Sequence, residues 1–413
     1  MPESPESSPS SSSLPSPDLA RARVALQRCA DTSPKAIHAA VRAAFTALPN
    51  IDALLRPGRR VFLKVNLVSN ATREEAICTD PEVVRAAVIE VRARGATPVI
   101  GDNPAIASEA SVLRASGIGA IAAELGVETP DMGPTATLKC ARAERFDAFE
   151  VSKAILDADV LLNLPKLKTH TLTYMSMAVK NLFGLIPGIR KARWHVRAPH
   201  ADLMAILLND LYGGVADHFA ARGGGLLHLC DGVNALEGDG PGHGGRPRFL
   251  GAILASTDAM ALDRVGCEVA GLDPECLVTL PRAWRRPLGK GERANTDRVE
   301  IVGATIADFA GVRLVPPTGG GFKLDGIAMW LGNQRWLRDL MIEHPRLTAD
   351  QACIGCRRCA EICPADAIRF SSAALPVPVF DKRPCIRCYC CAEVCPKGAI
   401  EKSPLPWLGR LFT

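Results

Sequence analysis

The sequence predicts an α/β protein: a layered open sheet with flanking helices, followed by a small cysteine-rich α+β domain at the C-terminus. Three observations carry this prediction. Between residues 20 and 315, short apolar strand segments alternate with helical stretches. A Pro/Gly-rich segment, Pro316 to Gly321, closes that region. Beyond it, two similar four-cysteine runs lie 32 residues apart, from 353 to 385, an internal two-fold repeat. The expected organisation is therefore a disordered Ser/Pro-rich tail at 1–19 and an α/β domain at 20–315. A linker and connecting helix at 316–344, the cysteine domain at 345–402 and an apolar tail at 403–413 complete the chain.

The elements follow in order. Val61 to Val65 reads as a strand, and Asp80-Pro81 to Arg94 as a helix with Thr79 or Asp80 as N-cap, Pro81 at its first position and Gly95 as its stop. Pro98 to Gly101 is the next strand. A helix from about Ser108 to Leu125 follows, weakened in its middle by Gly117 and Gly119. Asp159 to Leu164 is a strongly apolar strand running into Pro165, and Tyr174 to Phe183 reads as a helix. Strands at Leu226 to Cys230, Phe249 to Ala255 and Val299 to Val302 alternate with helices at Ala201 to Ala221 and Asp258 to Ala270. A helix at Trp330 to Glu343 leads into the cysteine domain, and Pro404 to Phe412 reads as an apolar cap on a neighbouring domain.

Composition excludes several classes. With 413 residues, 47% of them hydrophobic and 23% charged, the chain reads as globular. Its longest apolar runs, such as Val160 to Leu164, are far too short for a membrane span. The first 17 residues have no apolar core of the kind a signal peptide needs. A net charge of +5, spread out and without aromatic interleaving, argues against nucleic acid. Cys29, Cys78, Cys140, Cys230, Cys267 and Cys276 have no paired spacing and fit reduced thiols in a cytoplasmic protein.

The cysteine runs carry the chemistry. Cys353, Cys356, Cys359, Cys363-Pro364 and Cys385, Cys388, Cys391, Cys395-Pro396 both read C-x2-C-x2-C-x3-C-P, the ferredoxin pattern for 4Fe–4S cubanes. The first three cysteines of a run wrap one cluster, and the fourth ligates the other. One cluster is thus assigned to Cys353, Cys356, Cys359 and Cys395, the second to Cys385, Cys388, Cys391 and Cys363. Zinc sites do not call for two four-cysteine runs of this unequal spacing. Cys390 is left over, because only Cys391 preserves the spacing; it reads as a small buried residue facing away from the cluster. From Pro345 to Thr413 there are ten Lys/Arg against six Asp/Glu, a formal +4. A positive rim there suits a soluble acidic electron donor such as a ferredoxin or flavodoxin, with a mixed solvated surface as the plainer alternative.

Outside the cysteines, the densest polar run is Asn163-Leu164-Pro165-Lys166-Leu167-Lys168-Thr169-His170, directly after the strongest strand. Read as a loop at the carboxyl end of a strand, it lies where open α/β sheets bind ligands. Lys166, Lys168 and Lys180 suit a phosphate or carboxylate, and His170 a proton transfer near neutral pH. Solvated lysines on one strand face are the alternative. Asp102, after the strand ending at Gly101, points to the same crevice or holds a turn. The glycine-rich Gly238 to Gly245 reads as a flexible loop that covers a substrate or merely turns the chain. Asp258 reads as an N-cap or a site residue. No nucleotide-binding glycine pattern occurs.

Lys64-Val-Asn66-Leu, Thr79-Asp80-Pro81, Gly101-Asp102-Asn103-Pro104, the 163–170 run, Val179-Lys180-Asn181-Leu-Phe-Gly184, Asp231-Gly232, Glu237-Gly-Asp239-Gly240-Pro241 and Ser256-Thr-Asp258-x4-Asp263 occur in that order. In this the chain resembles the DUF362 domain family, whose members often carry a C-terminal dicluster ferredoxin. The resemblance covers roughly residues 60 to 275 and the tail. It implies an α/β fold and a shared site, which brings in Lys64, Asn66 and Asn181 as substrate-binding candidates beside the three lysines; it implies no reaction. The expectation is a cytoplasmic iron–sulfur oxidoreductase with two 4Fe–4S clusters, in which His170 or Asp102 handles a proton for an anionic small-molecule substrate. Two other readings stand beside it: an electron-transfer or maturation subunit that docks a protein, and a non-redox enzyme with structural or sensory clusters.

Overall fold

Apolar residues at every second position divide the strands of the α/β domain between two faces, and helices cover both. The computed structural model describes residues 22–188, 190–283, 299–318, 344–348, 353–371 and 376–402. The expected tail at 1–19, the helix at Trp330 to Glu343 and the apolar end at 403–413 lie outside these. In chain order the strands are β1 (Arg23–Arg28), β2 (Arg60–Lys64), β3 (Thr97–Gly101), β4 (Thr135–Lys139), β5 (Ala148–Ser152) and β6 (Val160–Asn163). β7 (Lys166–His170), β8 (Tyr174–Ser176), β9 (Gly225–Gly238), β10 (Gly245–Ser256) and β11 (Glu300–Gly303) follow. The main sheet is mixed, in the order β11-β1-β10-β9-β6-β2-β3. Strands β9, β6, β2 and β3 run parallel, so their carboxyl ends share one edge. On β2, Val61 and Leu63 belong to the buried cluster that includes the helices Pro34–Thr46 and Pro81–Ala93, and Phe62 belongs to the cluster of the other face, with Ala201–Ala221 and Ala259–Val269.

The structure departs from the sequence reading around the polar run. Lys166–His170 is a strand, not a loop. It continues the line of β6 along β9, with Lys166 opposite Asp231 and Lys168 opposite Leu236. Pro165 interrupts the run but still accepts Asp231 N–H through its carbonyl at 2.9 Å. The alternation of K-L-K-T-H is a strand's two-residue period, and it puts Lys166, Lys168 and His170 on one face. Tyr174–Ser176, expected as helix, is strand β8 paired with β7. Only Ala178–Asn181 is α-helical, continuing as a 3-10 turn to Leu185.

Three further differences have local causes. The expected helix at 108–125 is two helices, Glu109–Ala115 and Ile118–Glu124, because Gly117 between them adopts φ +80°. Strands β9 and β10 are longer than expected and form one hairpin, so the 238–245 segment is its connection. That loop is held down rather than flexible: Thr171 N–H donates to Gly240 O (3.2 Å), and Thr169 Oγ1 donates to Gly238 O (2.7 Å). Strand β1, the helices Pro34–Thr46 and Arg190–Arg197, and the β4–β5 hairpin escaped the sequence reading.

The cysteine domain is a doubled unit. β12 (Pro345–Leu347) pairs with β15 (Ile400–Lys402), and β13 (Ile368–Phe370) pairs with β14 (Pro378–Phe380). Left-handed residues recur at the 32-residue offset: Gly355 and Arg387, Arg357 and Tyr389, Asp366 and Gly398. The domain docks on the α/β domain through Ile362, Cys390 and Val394, packed with Ala192, Ala105 and Ile106. Gly242 and Gly398 close the contact. A Cβ on Gly242 would lie 2.8 Å from Glu393 O, and one on Gly398 would lie 2.8 Å from His243 O.

Residues after β11 still belong to the sheet domain: Leu314 is buried, Gly238 N–H donates to Val315 O, and Thr318 bonds Asp239. A chain ending after Thr318 is therefore expected to stay folded without iron, melting within several degrees of the full chain by circular dichroism. Insolubility would place the cysteine domain inside the folding core.

Candidate functional site

The carboxyl ends of β2 and β3, with Lys168 and His170 of β7, open onto a crevice of about 100 Å³. At its floor lies Lys64, fully buried. Its ammonium donates to Asp102 Oδ1 (2.7 Å), Val65 O (2.8 Å) and Asn181 Oδ1 (3.2 Å), so all three protons are committed. Asp102 is equally occupied, accepting Leu67 N–H and Asn103 N–H as well. Lys64 and Asp102 form a strut rather than a binding cation and a free base. Asn181 extends it by accepting Asn66 Nδ2 (2.9 Å) and donating to Asn163 Oδ1 (2.8 Å). Gly184 is required beside it, because a Cβ there would sit 2.5 Å from Asp102 Oδ1 and closer still to Lys64 Nζ.

Lys166 does not reach the crevice. Its ammonium is buried against Asp231 at 2.8 Å, and Asp231 also accepts Asp80 N–H (2.7 Å). The cations left to face a ligand are Lys168, Lys180 and Lys191, none of which has a carboxylate partner in ion-pair range among the described residues. Lys168 donates to Asn66 Oδ1 (2.6 Å) and Ile77 O (2.9 Å); Lys180 lies over the Phe183 ring, 4.7 Å from its centroid; Lys191 donates to Asn103 O. Burial lowers all three pKa values, to about 7 for Lys168 and about 8 for Lys191.

His170 faces the same space. Leu172 N–H donates to its Nδ1 (3.0 Å), so the neutral ring carries its proton on Nε2. That nitrogen is 3.3 Å from Glu393 Oε1, close but poorly aligned for a hydrogen bond. Burial outweighs Glu393 and holds the His170 pKa below its usual value. Burial works against Glu393's charge too, yet His170, Lys180 and His195 keep its carboxyl down at about 2. His195 is buried with its pKa lowered to about 4, again by burial.

Sequence reasoning missed Lys191, His195, Glu393 and Cys390 as crevice residues. Cys390 is buried as expected, with one side on the crevice. Among the soft candidates, Asp258 is the N-cap of helix Ala259–Val269, and Asp263 accepts Ala178 and Val179 N–H at 2.6 and 3.1 Å. Asp263 thereby caps the turn that carries Lys180, with its own pKa raised to about 7 by burial.

In the cysteine domain, a second cavity is lined by Cys353, Cys356, Cys359 and Cys395 among apolar neighbours that include Leu347, Phe370 and Ile400. Four thiols in an apolar shell suit an iron–sulfur cluster. Cys391 lies within electrostatic range of Cys388, Cys385, Cys359 and Cys363, and burial raises its pKa. The fourth cysteine of each run accepts a backbone N–H at the same offset, Ala367 to Cys363 Sγ (3.3 Å) and Ala399 to Cys395 Sγ (3.2 Å).

The chain matches the model of a domain of unknown function, DUF362, over residues 61–268, and that of a 4Fe–4S dicluster domain over residues 352–399. It is 35% identical over 260 residues to a thylakoid-associated protein of Synechocystis sp., covering 62% of this chain and 77% of that one. A solved structure of a Thermotoga maritima protein superposes with a TM-score of 0.37 at 11% identity, over 58% of this chain and 59% of that one. No helix among the described residues is long and apolar enough to cross a membrane.

The lysines separate two kinds of substitution. Lys166→Gln leaves the buried Asp231 carboxylate unpaired and should destabilise the fold by about 3–5 kcal/mol in denaturant titrations. Lys180→Gln should leave the melting temperature nearly unchanged but weaken phosphate binding by about 1.5–3 kcal/mol in calorimetry. As pH rises through about 7 and about 8, Lys168 and Lys191 lose their protons, so affinity for sulfate, whose own charge is constant there, should fall between pH 6 and 9. An affinity that is flat or rises over that range would exclude these lysines as the anion's partners.

Proposed function

The chain belongs to the DUF362 family and carries a 4Fe–4S dicluster domain, and from that membership we propose a cytoplasmic iron–sulfur oxidoreductase that passes electrons from a soluble donor to a small anionic substrate. One observation carries this reading. Ile362, Cys390, Glu393 and Val394 of the cysteine domain line the same crevice as Lys168, His170 and Lys180. Two clusters, held by Cys353, Cys356, Cys359 and Cys395 and by Cys385, Cys388, Cys391 and Cys363, would supply low-potential one-electron chemistry at that wall.

The chain's own residues supply the rest. Lys180 and Lys191, with Lys168 when protonated, hold the anionic group. His170 carries its proton on Nε2, with Leu172 N–H orienting the ring and the Glu393 carboxylate 3.3 Å from that nitrogen. Lys64, Asp102, Asn66 and Asn181 hold the lysines in place rather than binding substrate. The crevice favours an enzyme over a subunit that only docks a partner, and the shared wall disfavours clusters that are purely structural. The Synechocystis relative is described as thylakoid-associated, so cell fractionation is the check on the cytoplasmic placement.

Anaerobically purified protein should hold about eight irons and eight acid-labile sulfides per chain. Cys391→Ser should lose about half of both, and Cys390→Ser should keep all. Equal losses would overturn the ligand register. Phosphate added to the dithionite-reduced protein should shift its electron paramagnetic resonance signal in wild type but not in Lys180→Gln; no shift in either would separate the crevice from the clusters.

A further inference from the structure

The buried lysines around the crevice differ in what surrounds their nitrogens, and the difference singles out Lys168. Lys64 and Lys166 each have a carboxylate ion-pair partner within 2.8 Å. Lys168 is 1% exposed and has only neutral acceptors, Asn66 Oδ1 at 2.6 Å and Ile77 O at 2.9 Å. A neutral amine has two N–H bonds and one lone pair. The two acceptors take both N–H bonds and leave the lone pair as the unassigned direction, on a side chain that lines the cavity. Burial, with Lys166 and Lys180 adding repulsion, brings its pKa to about 7, so free amine is abundant at neutral pH. A desolvated lysine beside other cations is the arrangement that makes this side chain a nucleophile toward carbonyl carbon.

We propose that Lys168 forms a Schiff base with a small 2-oxo acid, whose carboxylate is held by Lys180 and Lys191. This rests on the anionic-substrate reading above and names its chemical class. A cavity of about 100 Å³ suits so compact a molecule and is well below the roughly 300 Å³ at which sites for larger ligands begin. In the step itself the Nζ lone pair attacks the carbonyl carbon and a C–N bond forms. The carbonyl oxygen leaves as water, taking both amine protons, and a C=N bond remains. Nothing is oxidised or reduced. His170, two residues along the same face of β7, carries an Nε2–H that can hydrogen-bond the carbonyl oxygen and polarise it, while the two amine protons pass to that oxygen as it leaves.

The test uses the full-length, cluster-loaded protein, with pyruvate as probe and sodium cyanoborohydride to trap an imine as a stable secondary amine. Peptide mass mapping should find one adduct per chain, on Lys168. Labelling at limiting pyruvate should fall at least tenfold in Lys180→Gln and vanish in Lys168→Arg. The wild-type map decides the matter even if Lys168→Arg misfolds. No adduct, or labelling spread over surface lysines with Lys168 no higher than the rest, overturns the proposal. Lactate, which has the carboxylate but no carbonyl, separates this from the anion reading. If lactate binds by calorimetry and pyruvate leaves no adduct, the Schiff base fails and the anion site stands; if neither binds nor labels, both fail.

Discussion

The crevice depends on the buried ion pair between Lys64 and Asp102. Removing two such charges from water costs several kcal/mol each, and their attraction offsets this only when the remaining hydrogen-bonding capacity is filled. Here it is filled. Lys64 has three acceptors and Asp102 three donors, drawn from β2, from the segment after β3, and from Asn181 on the turn after β8. The pair therefore fastens three separate stretches of chain at one point. Gly184 lets the turn approach closely enough to do so, and Asp263 caps the same turn from behind. Lys180 and Phe183 ride on it, and Asn103, next to Asp102, receives Lys191.

Carboxylates that look catalytic by composition serve mainly as anchors in this fold. Asp231, Asp258 and Asp263 each accept backbone N–H groups, and Asp210 takes three, from Glu144, Arg145 and Phe146. Buried acids fully used in this way stabilise irregular connections that no sheet ladder satisfies. Among the described residues, the side chains left to face the crevice are chiefly the lysines Lys168, Lys180 and Lys191 and the imidazoles His170 and His195, and the other domain adds the Glu393 carboxylate.

The two halves of the cysteine domain repeat each other in backbone conformation, yet docking treats them differently. Glu361 and Glu393 are equivalent at the 32-residue offset; Glu361 is exposed, while Glu393 faces His170 across the crevice. The glycine-rich hairpin connection makes the asymmetry possible, since Gly242 allows the second helix to lie directly on it. A small bifunctional wall results, with cysteine-rich structure on one side and lysines on the other.

Sequence by itself showed the repeated cysteine spacing, the alternation of strands and helices, and the limits of the helices Pro81–Ala93, Ala201–Ala221 and Ala259–Val269, because each is written in local spacing: two residues for strands, three to four for helices, two and three between thiols. Ala201–Ala221 as a helix needed nothing more, whereas the cap of Pro81–Ala93, Thr79 or Asp80 by sequence, is Asp80 in the structure. The strand nature of Lys166–His170 was also legible in its alternation, but Pro165 and the charge of the run suggested a loop. Tertiary structure alone decided which lysines are spoken for. Lys166 and Lys168 are two residues apart and flank the same Leu167, and only the positions of Asp231 and Asn66, some 65 and 102 residues away, make one a buried ion pair and the other a solitary amine. Glu393 and Lys191 joined the crevice for the same reason: charge–charge distances between remote segments follow from packing, and no local pattern encodes them.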